Sequence, residues 1–199
     1  MSSIFRGNLS MILLGEEGYY EGDIINNKAN GSGTFTCDNF ACKGDFQDNK
    51  IHGNIKINYE NGSIYEGEAK DGNIEGEGIF TYPLYTLVGN FKYGNLHGWG
   101  YITSNQIIYA GYWYNGMKDG TGIEITDNET IYIGKWEEDI KQDDGIIINP
   151  NGTIIKTTWN LDSIVNQQLD DEKTIRYISG YVFKSKKNDD WGTPNGNGY

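Results

Sequence analysis

Hydrophobic and polar residues alternate along most of the chain in a pattern that repeats every 22 or 23 residues. Each repeat is aligned on one glycine, which we designate position 0, and all other positions are counted from it. The position 0 glycines are Gly22, Gly44, Gly67, Gly89, Gly111 and Gly134. A degenerate seventh repeat carries Thr157 at position 0 and Trp159 two residues later. This periodicity is typical of repeat architectures, in which each unit packs against its neighbours.

Two strands are predicted within each repeat. Positions −2 and +2 are mostly apolar, and a period of two around the glycine indicates one face of a strand. These positions are occupied by Tyr20, Cys42, Tyr65, Leu87, Tyr109 and Tyr132 at −2 and by Ile24, Phe46, Ala69, Phe91, Trp113 and Trp136 at +2. Further glycines at positions 9 and 11, usually followed by an apolar residue at position 13, indicate the second strand.

The two strands of a repeat are predicted to form a β-hairpin. Between them lie the pairs Asp71-Gly72, Tyr93-Gly94 and Asn115-Gly116. Asp-Gly and Asn-Gly between alternating segments are strong signals for a two-residue turn. Counting outward from these turns places position 0 opposite position 9, position −2 opposite position 11 and position +2 opposite position 7. In that register the aromatic rings cover the bare backbone of facing glycines.

These segments resemble the MORN repeat, whose consensus reads roughly Y-x-G-x-W-x-x-G-x-x-H-G-x-G. The best matches run from Tyr65 to Gly78, from His97 to Gly100 and from Tyr109 to Trp113. The resemblance implies an all-β fold, an elongated single-layer antiparallel sheet of tandem β-hairpins. It also implies docking or scaffold roles, sometimes as a homodimer, at cytoskeletal or membrane-adjacent structures. Contact with membrane phospholipid is a further property that the resemblance implies.

The ends of the sheet are predicted to be covered by shorter segments. Leu9, Met11 and Leu13 fall where the second strand of a preceding hairpin places inward residues. Ser163 to about Asp171 is predicted as one short helix capped by Asp162 or Ser163, and Thr174 to Phe183 as a last strand or two. The predicted regions are an N-terminal half-repeat (1–19), the repeat array (20–160), a C-terminal cap (161–183) and a flexible tail (184–199).

Net charge narrows the range of partners. At −12, with a pI near 4.5, the chain is repelled by nucleic-acid phosphates and by anionic membrane surfaces. We therefore expect no nucleic-acid partner, and the charge disfavours a membrane-lipid partner. The longest N-terminal apolar run, Met11 to Leu14, is too short for the core of a signal peptide. A cytoplasmic location is the expectation.

Candidate catalytic and metal-binding residues have simpler structural interpretations. His52 and His97 both occupy position 8, the consensus histidine site, and in the predicted register they face Asp45 and Asn90. Carboxylates recur beside position 0 in several repeats, whereas a catalytic pair should be singular. The cysteines, Cys37 and Cys42, lack the further ligands of a zinc site. We predict no enzymatic activity, no metal site and no cofactor. A membrane-phospholipid-associated module, or a targeting module with an enzymatic role, is the alternative.

The candidate binding residues are aromatic. In repeats four and five the outward positions carry large apolar side chains where other repeats are polar. This predicted partner-binding patch consists of Val88, Trp99, Tyr101, Tyr112 and Tyr114. A second predicted surface is a groove lined by Tyr65, Phe91, Tyr109, Trp113 and Trp136. The sequence thus predicts a non-catalytic adaptor for a protein partner or for a second copy of itself, although the C-terminal segment folding back over the patch is an alternative.

Overall fold

The computed structural model describes residues 5–169, which form one open antiparallel sheet of 15 strands. Every strand pairs with its neighbours in the sequence, and the described residues contain no helix. The strands are β1 (Phe5–Leu13), β2 (Glu16–Ile25), β3 (Lys28–Thr36), β4 (Phe40–Gln47), β5 (Lys50–Tyr59), β6 (Ile64–Lys70), β7 (Asn73–Thr81), β8 (Tyr85–Lys92), β9 (Asn95–Ser104), β10 (Ile107–Tyr114), β11 (Met117–Thr126), β12 (Ile131–Glu137), β13 (Ile140–Ile148), β14 (Ile154–Asn160) and β15 (Ser163–Leu169). The predicted all-β sheet of tandem hairpins is confirmed.

Two-residue turns close the hairpins at the predicted places. At Asp71-Gly72 both φ angles are positive, 52° and 93°. Positive φ at both central residues matches a type I′ turn, whose twist agrees with that of the flanking strands. In the equivalent turn of the second repeat, Asn49 accepts a 2.7 Å hydrogen bond through Oδ1 from the backbone N–H of Ala29. The turn therefore also fastens each hairpin to the one before it.

The register at the glycines differs from the predicted one. Close to the turn, position +2 faces position 7 as predicted, for example Ala69 opposite Ile74. Farther from the turn, position 0 faces position 11, as Gly67 faces Gly78, and position −2 faces position 13. The prediction that position 0 faces position 9 is wrong, because a register shift within the hairpin adds two residues to the second strand.

The glycine at position 9 forms this bulge. Gly76 has a φ of 101°, a backbone conformation that residues other than glycine rarely adopt. In the sixth repeat Asp143 takes the same position with a φ of 56°, within the left-handed region that aspartate tolerates. Because position 8 lies in the bulge, the histidines do not have their predicted partners. The imidazole of His52 contacts Asp71, and His97 packs against the ring of Tyr114.

Glycines from successive strands face one another in a line across the whole array, which we call the glycine spine. Its members are Gly7, Gly22, Gly33, Gly44, Gly67, Gly78, Gly89, Gly100, Gly111, Gly122, Gly134 and Gly145. The line is interrupted at Ile55, which lies between Gly44 and Gly67. A spine without side chains leaves room above it for large rings from the neighbouring positions.

Tyrosines at position −2 fill that room. The ring of Tyr65 lies so close to Gly78 that a Cβ atom there would be 2.6 Å from the tyrosine Oη. The Tyr65 hydroxyl donates a 2.8 Å hydrogen bond to the carbonyl of Glu68 at the bulge. Burial raises the pKa of Tyr132 to about 12, so its hydroxyl stays protonated and donates to the Lys135 carbonyl. Tyrosine thus satisfies a backbone group as well as covering the spine.

Aromatic rings also connect one repeat to the next. The position −2 tyrosine of one repeat packs edge-on against the position +2 ring of the following repeat. The ring centroids are 4.9 Å apart for Tyr20 and Phe46, 5.6 Å for Tyr65 and Phe91, and 5.3 Å for Tyr109 and Trp136. Edge-to-face pairs at such distances add about 0.5–1.5 kcal/mol beyond their buried area. The face that carries these rings, here called the inner face, is the hydrophobic core.

The two edges of the sheet are strands. At the first edge, β1 pairs with β2, and Leu13 is buried in the core with Leu9 and Met11 packed against it. At the other edge, the predicted helix is wrong, because Ser163–Leu169 is β15 and pairs with β14. A positive-φ turn at Leu161-Asp162 closes this last hairpin, and the β-branched residues after it favour a strand.

The division into four regions stays a prediction, since 1–4, the strands predicted within 174–183 and the tail at 184–199 lie outside the described residues.

Three charged residues replace apolar ones in the core of repeats five and six. Lys118 and Lys141 occupy position 7, and Glu124 occupies position 13. Glu124 is 6% exposed, and its carboxylate lies 2.6 Å from Lys118 Nζ and 3.0 Å from Lys141 Nζ. Both ammonium groups also lie over the ring of Trp136, at 4.3 and 5.1 Å. The carboxylate and the ring faces together compensate two partly buried cations.

We expect removal of the Glu124 charge to destabilise the protein. Burial alone would raise the pKa of Glu124, but hydrogen bonds and positive charge from Lys118 and Lys141 outweigh it and hold that pKa below its ordinary value. The stabilisation is therefore complete above the ordinary pKa and is lost as the pH falls through the lowered one. Glu124→Gln should cost about 3–5 kcal/mol at neutral pH, and the difference from wild type should shrink as the pH falls below the ordinary pKa of a glutamate. Denaturant unfolding at several pH values measures both effects.

The other repeats supply the control for this experiment. The triple variant Lys118→Leu, Glu124→Ile and Lys141→Ile introduces residue types found at positions 7 and 13 elsewhere in the array. It should be as stable as wild type or more stable, because apolar groups can replace a complete buried ion cluster. Equal stability of Glu124→Gln and wild type at neutral pH would contradict the assigned role.

A methyl group in the glycine spine should destabilise the sheet. In Gly78→Ala the new Cβ meets the Tyr65 ring, and overpacking of this kind costs about 1–3 kcal/mol. Gly7→Ala is the matched control, since its nearest neighbour is the Phe5 side chain at 3.2 Å. We expect that control to cost less than about 0.5 kcal/mol. Similar unfolding midpoints for the two variants would show that close packing on the spine is unimportant.

Candidate partner-binding surface

The five residues predicted to line a groove belong to the core. Tyr65 and Tyr109 are fully buried, and the other three are at most 7% exposed. The prediction of an open groove is corrected accordingly, because Tyr65, Tyr109 and Trp113 lie against the glycine spine and each of the five rings packs edge-on against another of them. The three remaining residues are Phe91, Trp113 and Trp136. The other predicted residues lie on the opposite face of the sheet, here called the outer face.

A continuous line of apolar side chains crosses seven strands of the outer face, from β7 to β13. Positions −1 and 12 of successive strands pair directly, so their side chains lie side by side. This line, the apolar row, consists of Ile79, Val88, Tyr101, Ala110, Ile123, Ile133 and Ile146. Most of its members are half-buried, and Ile79 is 44% exposed. Sheet pairing thus joins two of the predicted patch residues, Val88 and Tyr101, to five others.

Trp99 and Tyr112 lie in the next line of the outer face, beside the apolar row. They are directly paired on β9 and β10, and their rings meet edge-on at 5.7 Å. Tyr112 is 51% exposed. Tyr114 lies near the hairpin turn and packs against His97 at 5.1 Å. The structure therefore brings together four of the five predicted patch residues and places Tyr114 at the margin.

Sequence reasoning missed most of the apolar row and a second line next to it. The second line is formed by positions −3 and 14 and contains Ile108, Ile125, Ile131, Ile148 and Ile154. The signal is visible when positions −1, −3, 12 and 14 are aligned across the repeats, since isoleucine occurs there only from the third repeat onward. The missed isoleucines of the apolar row are Ile79, Ile123, Ile133 and Ile146.

The outer face changes character between β6 and β7. On the first half of the sheet the same line of positions is charged or polar, and it runs through Asn8, Glu21, Thr34, Lys43, Lys56 and Glu66. Glu66 faces Ile79, the first residue of the apolar row. A depression of about 440 Å³ at this boundary is lined by Glu66 and Glu77 as well as by Val88 and Trp99. A ligand at this point meets carboxylates on one side and apolar side chains on the other.

The described residues offer little for other chemistry. Within 5–169, no group of three or more His, Cys, Asp or Glu side chains is arranged to hold a metal ion. Cys37 and Cys42 are free thiols, and burial raises the pKa of Cys42 to about 12. No helix of residues 5–169 has the length and hydropathy needed to cross a membrane.

Comparison with known proteins identifies the repeat. The family model of the MORN repeat matches residues 20–40, 42–63, 65–83 and 109–130. The predicted count of six repeats stays a prediction. No curated protein matches the chain. Among solved structures, the chain is similar to the TCP domain of SAS-4 from Drosophila melanogaster, solved in complex with a proline-rich motif of Ana2. The two are 18% identical, the TM-score is 0.38, and the match covers 72% of this chain and 86% of the other.

Two nearby tyrosines on opposite faces of the sheet should differ in how much they contribute to folding stability. Tyr109→Ala removes a fully buried ring and should cost about 3–5 kcal/mol of folding stability. Tyr112→Ala removes an exposed ring and should change stability by less than about 1 kcal/mol. Denaturant unfolding of both variants measures the difference. A large loss for Tyr112→Ala would mean that its ring stabilises the fold and is not available to a partner.

Proposed function

The chain belongs to the MORN-repeat family, and we propose that it is a non-catalytic scaffold that binds a protein partner through the outer face of β7–β13. MORN repeats are modules that interact with proteins or membranes, and the family is typically non-catalytic. The finer assignment, a protein partner on this particular face, rests on the apolar row. The proposed location is the cytoplasm, at cytoskeletal or membrane-adjacent structures.

The apolar row carries the proposal. Seven strands at about 4.8 Å spacing make it roughly 29 Å long. Where Trp99 and Tyr112 lie on one side of the row and the second line of isoleucines on the other, the apolar strip is about 13 Å across, since residues two apart in a strand are about 6.7 Å apart. Elsewhere the line of Trp99 and Tyr112 is polar, as at Glu77 and Asn90. Such a narrow apolar strip is smaller than the roughly 800 Å² per partner of a standard globular interface. Its shape suits one extended segment or one helix of about 20 residues.

Trp99 and Tyr112 provide the anchor for such a segment. Tryptophan and tyrosine are enriched among residues whose truncation costs the most binding energy. Their rings are held at 5.7 Å by direct strand pairing, so little conformational entropy is lost when a partner covers them. The rest of the strip supplies water-excluding apolar contact around this pair.

Charge supports a protein over a lipid. The net charge of −12 opposes binding to an anionic bilayer. The carboxylates Glu66 and Glu77 border the apolar row. A partner segment with an apolar stretch followed by basic residues fits this arrangement, whereas a lipid headgroup phosphate is repelled by it.

Affinity capture with matched variants tests the proposal. The double variant Trp99→Ala and Tyr112→Ala should lose its specific protein partner by at least about tenfold, the effect of losing 1.4 kcal/mol. The control is Tyr19→Ala, which removes a tyrosine that is 72% exposed on β2, outside the apolar row. The control should retain the partner. Circular dichroism and denaturant unfolding confirm that all variants are folded.

Three outcomes would overturn the proposal. Equal partner recovery by both variants would exclude the outer face of β7–β13 as the binding surface. Salt-sensitive flotation with anionic vesicles that survives in the double variant would favour the lipid alternative. Light scattering that shows a dimer of wild type and a monomer of the double variant would make a second copy of the chain the partner.

A further inference from the structure

We propose that this protein has a second binding surface, along the loops between repeats, and that it takes an extended basic segment of another protein. The surface is separate from the outer face of β7–β13, so the proposal goes beyond the proposed function. It rests on a column of stacked rings, on hydroxyl groups without partners and on the charge of the loops. The loops form the loop side of the sheet and comprise residues 37–39, 60–63, 82–84, 105–106, 127–130 and 149–153.

Four aromatic rings are stacked on the inner face where repeats two to four meet the loop side. The members of this ring column are Tyr59, Phe80, Tyr82 and Tyr85. Successive ring centroids are 5.6, 4.4 and 4.4 Å apart, and the planes of successive rings differ by 12°, 12° and 25°. Rings over the glycine spine meet edge-on instead. Because stacked rings cover one another's faces, the column can offer a ligand its ring edges and hydroxyl groups.

The hydroxyl groups of the ring column have no partners within residues 5–169. Tyr59, Tyr82 and Tyr85 form no side-chain hydrogen bond there, whereas the four tyrosines over the glycine spine each donate to a backbone carbonyl. Burial raises the pKa of Tyr59 to about 12 and also raises the pKa of Tyr82. Both hydroxyls therefore stay protonated at neutral pH and can donate to the backbone carbonyls of a bound segment.

A further unpaired hydroxyl lies beside the ring column, on Ser63. The backbone N–H of Tyr59 donates a 2.9 Å hydrogen bond to the Ser63 carbonyl, and the pairing of Ile64 with Thr81 places Ser63 next to Tyr82. Ser63 is 2% exposed, and in the part of the chain that the structure describes its hydroxyl has no hydrogen-bond partner. Buried hydroxyls without a partner are uncommon in folded proteins. Hydrogen bonding along this stretch is therefore incomplete in the chain by itself.

The loop side is acidic. Its residues include Asp38, Glu60, Asp127 and Glu129, and none of them is lysine, arginine or histidine. All four carboxylates are exposed, and none forms an ion pair with another residue of the described range. Such a surface repels anionic membranes, nucleic acids and the loop side of a second copy, and it attracts a basic segment.

The spacing of the acidic loops sets the length of the segment. Glu60 lies between β5 and β6, and Asp127 lies between β11 and β12, six strand spacings away. At about 4.8 Å each, the spacings add up to about 29 Å, which about nine extended residues cover. Between these loops Leu84 is 82% exposed, and Tyr85 and Ile107 are also exposed. The segment that fits has basic residues near both ends and apolar residues between them. Arginine suits such ends, since it pairs with carboxylates and packs on aromatic rings.

Selection from a peptide library tests the class of ligand. Phage that display random peptides of about 12 residues, long enough for the 29 Å span, are selected on the full chain. The selected peptides should be enriched in arginine or lysine near both ends. Their affinities, measured by fluorescence anisotropy of labelled synthetic copies, should fall as salt concentration rises. Selected peptides without enrichment of basic residues overturn the proposal.

Charge reversal tests the place of binding. Glu60→Lys combined with Asp127→Lys should reduce the affinity for the selected peptides at least about tenfold, because both acidic loops lose their attraction. The matched control combines Glu21→Lys with Glu137→Lys, which makes the same change in net charge at exposed positions away from the loop side. It should reduce the affinity less than about threefold. Equal losses in the two variants would show that net charge, and not the loop side, attracts the peptides.

Removal of hydroxyl groups tests the ring column. Tyr82→Phe combined with Tyr85→Phe keeps the stacked rings and should reduce peptide affinity at least about threefold, the effect of losing hydrogen bonds of ordinary strength. Tyr93→Phe is the control, since Tyr93 is 68% exposed in a hairpin turn on the opposite side of the sheet. It should leave the affinity unchanged. An unchanged affinity in the double variant contradicts the role of the column.

The outer-face variant separates this proposal from the proposed function. Trp99→Ala combined with Tyr112→Ala should bind the selected peptides as wild type does. A loss of peptide affinity in that variant would place the peptides on the outer face, which overturns the loop-side proposal and leaves the proposed function standing. Circular dichroism and denaturant unfolding show whether each variant is folded. The peptides are measured without the native partner, so the proposed function can also fail while the loop-side proposal stands.

Discussion

Backbone-to-backbone contact between glycines on neighbouring strands is the constraint on which the rest of this structure depends. Where Gly67 faces Gly78, the absence of side chains leaves space that the ring of Tyr65 occupies. The same arrangement recurs in the repeats of Tyr20, Tyr109 and Tyr132. One hairpin is marginally stable alone, so the tyrosine that covers one repeat and packs on a ring of the next makes stability a property of the array.

This way of building a core uses only one face of the sheet. The inner face must repeat its glycines and rings because every repeat depends on its neighbours. Its charged departure within residues 5–169, the cluster of Glu124 with Lys118 and Lys141, is compensated within itself. Folding does not require the outer face to repeat particular residues, and its composition changes along the array. Variation that folding does not require is therefore concentrated there, in the apolar row and in Trp99 and Tyr112 beside it.

The outer face is charged in its first half and apolar in its second half, so the two ends of an otherwise regular sheet differ chemically. Glu66 and Ile79 are paired neighbours at the boundary. A ligand with apolar and basic parts can bind such a surface in one orientation only, since reversal places lysines on isoleucines and apolar groups on carboxylates. The repeat supplies rigidity and spacing, and departures from the repeat supply specificity.

Periodicity and turn residues by themselves determined the tandem hairpins, the position of Asp71-Gly72 and the face on which each aromatic lies, because these follow from a period of two and from local φ preferences. Tertiary structure decided the register, since the bulge at Gly76 changes which residues pair. It also decided that Ser163–Leu169 is a strand, through pairing with β14. Finally, it buried the predicted groove residues and assembled the apolar row, because contacts between strands join residues that are far apart in sequence.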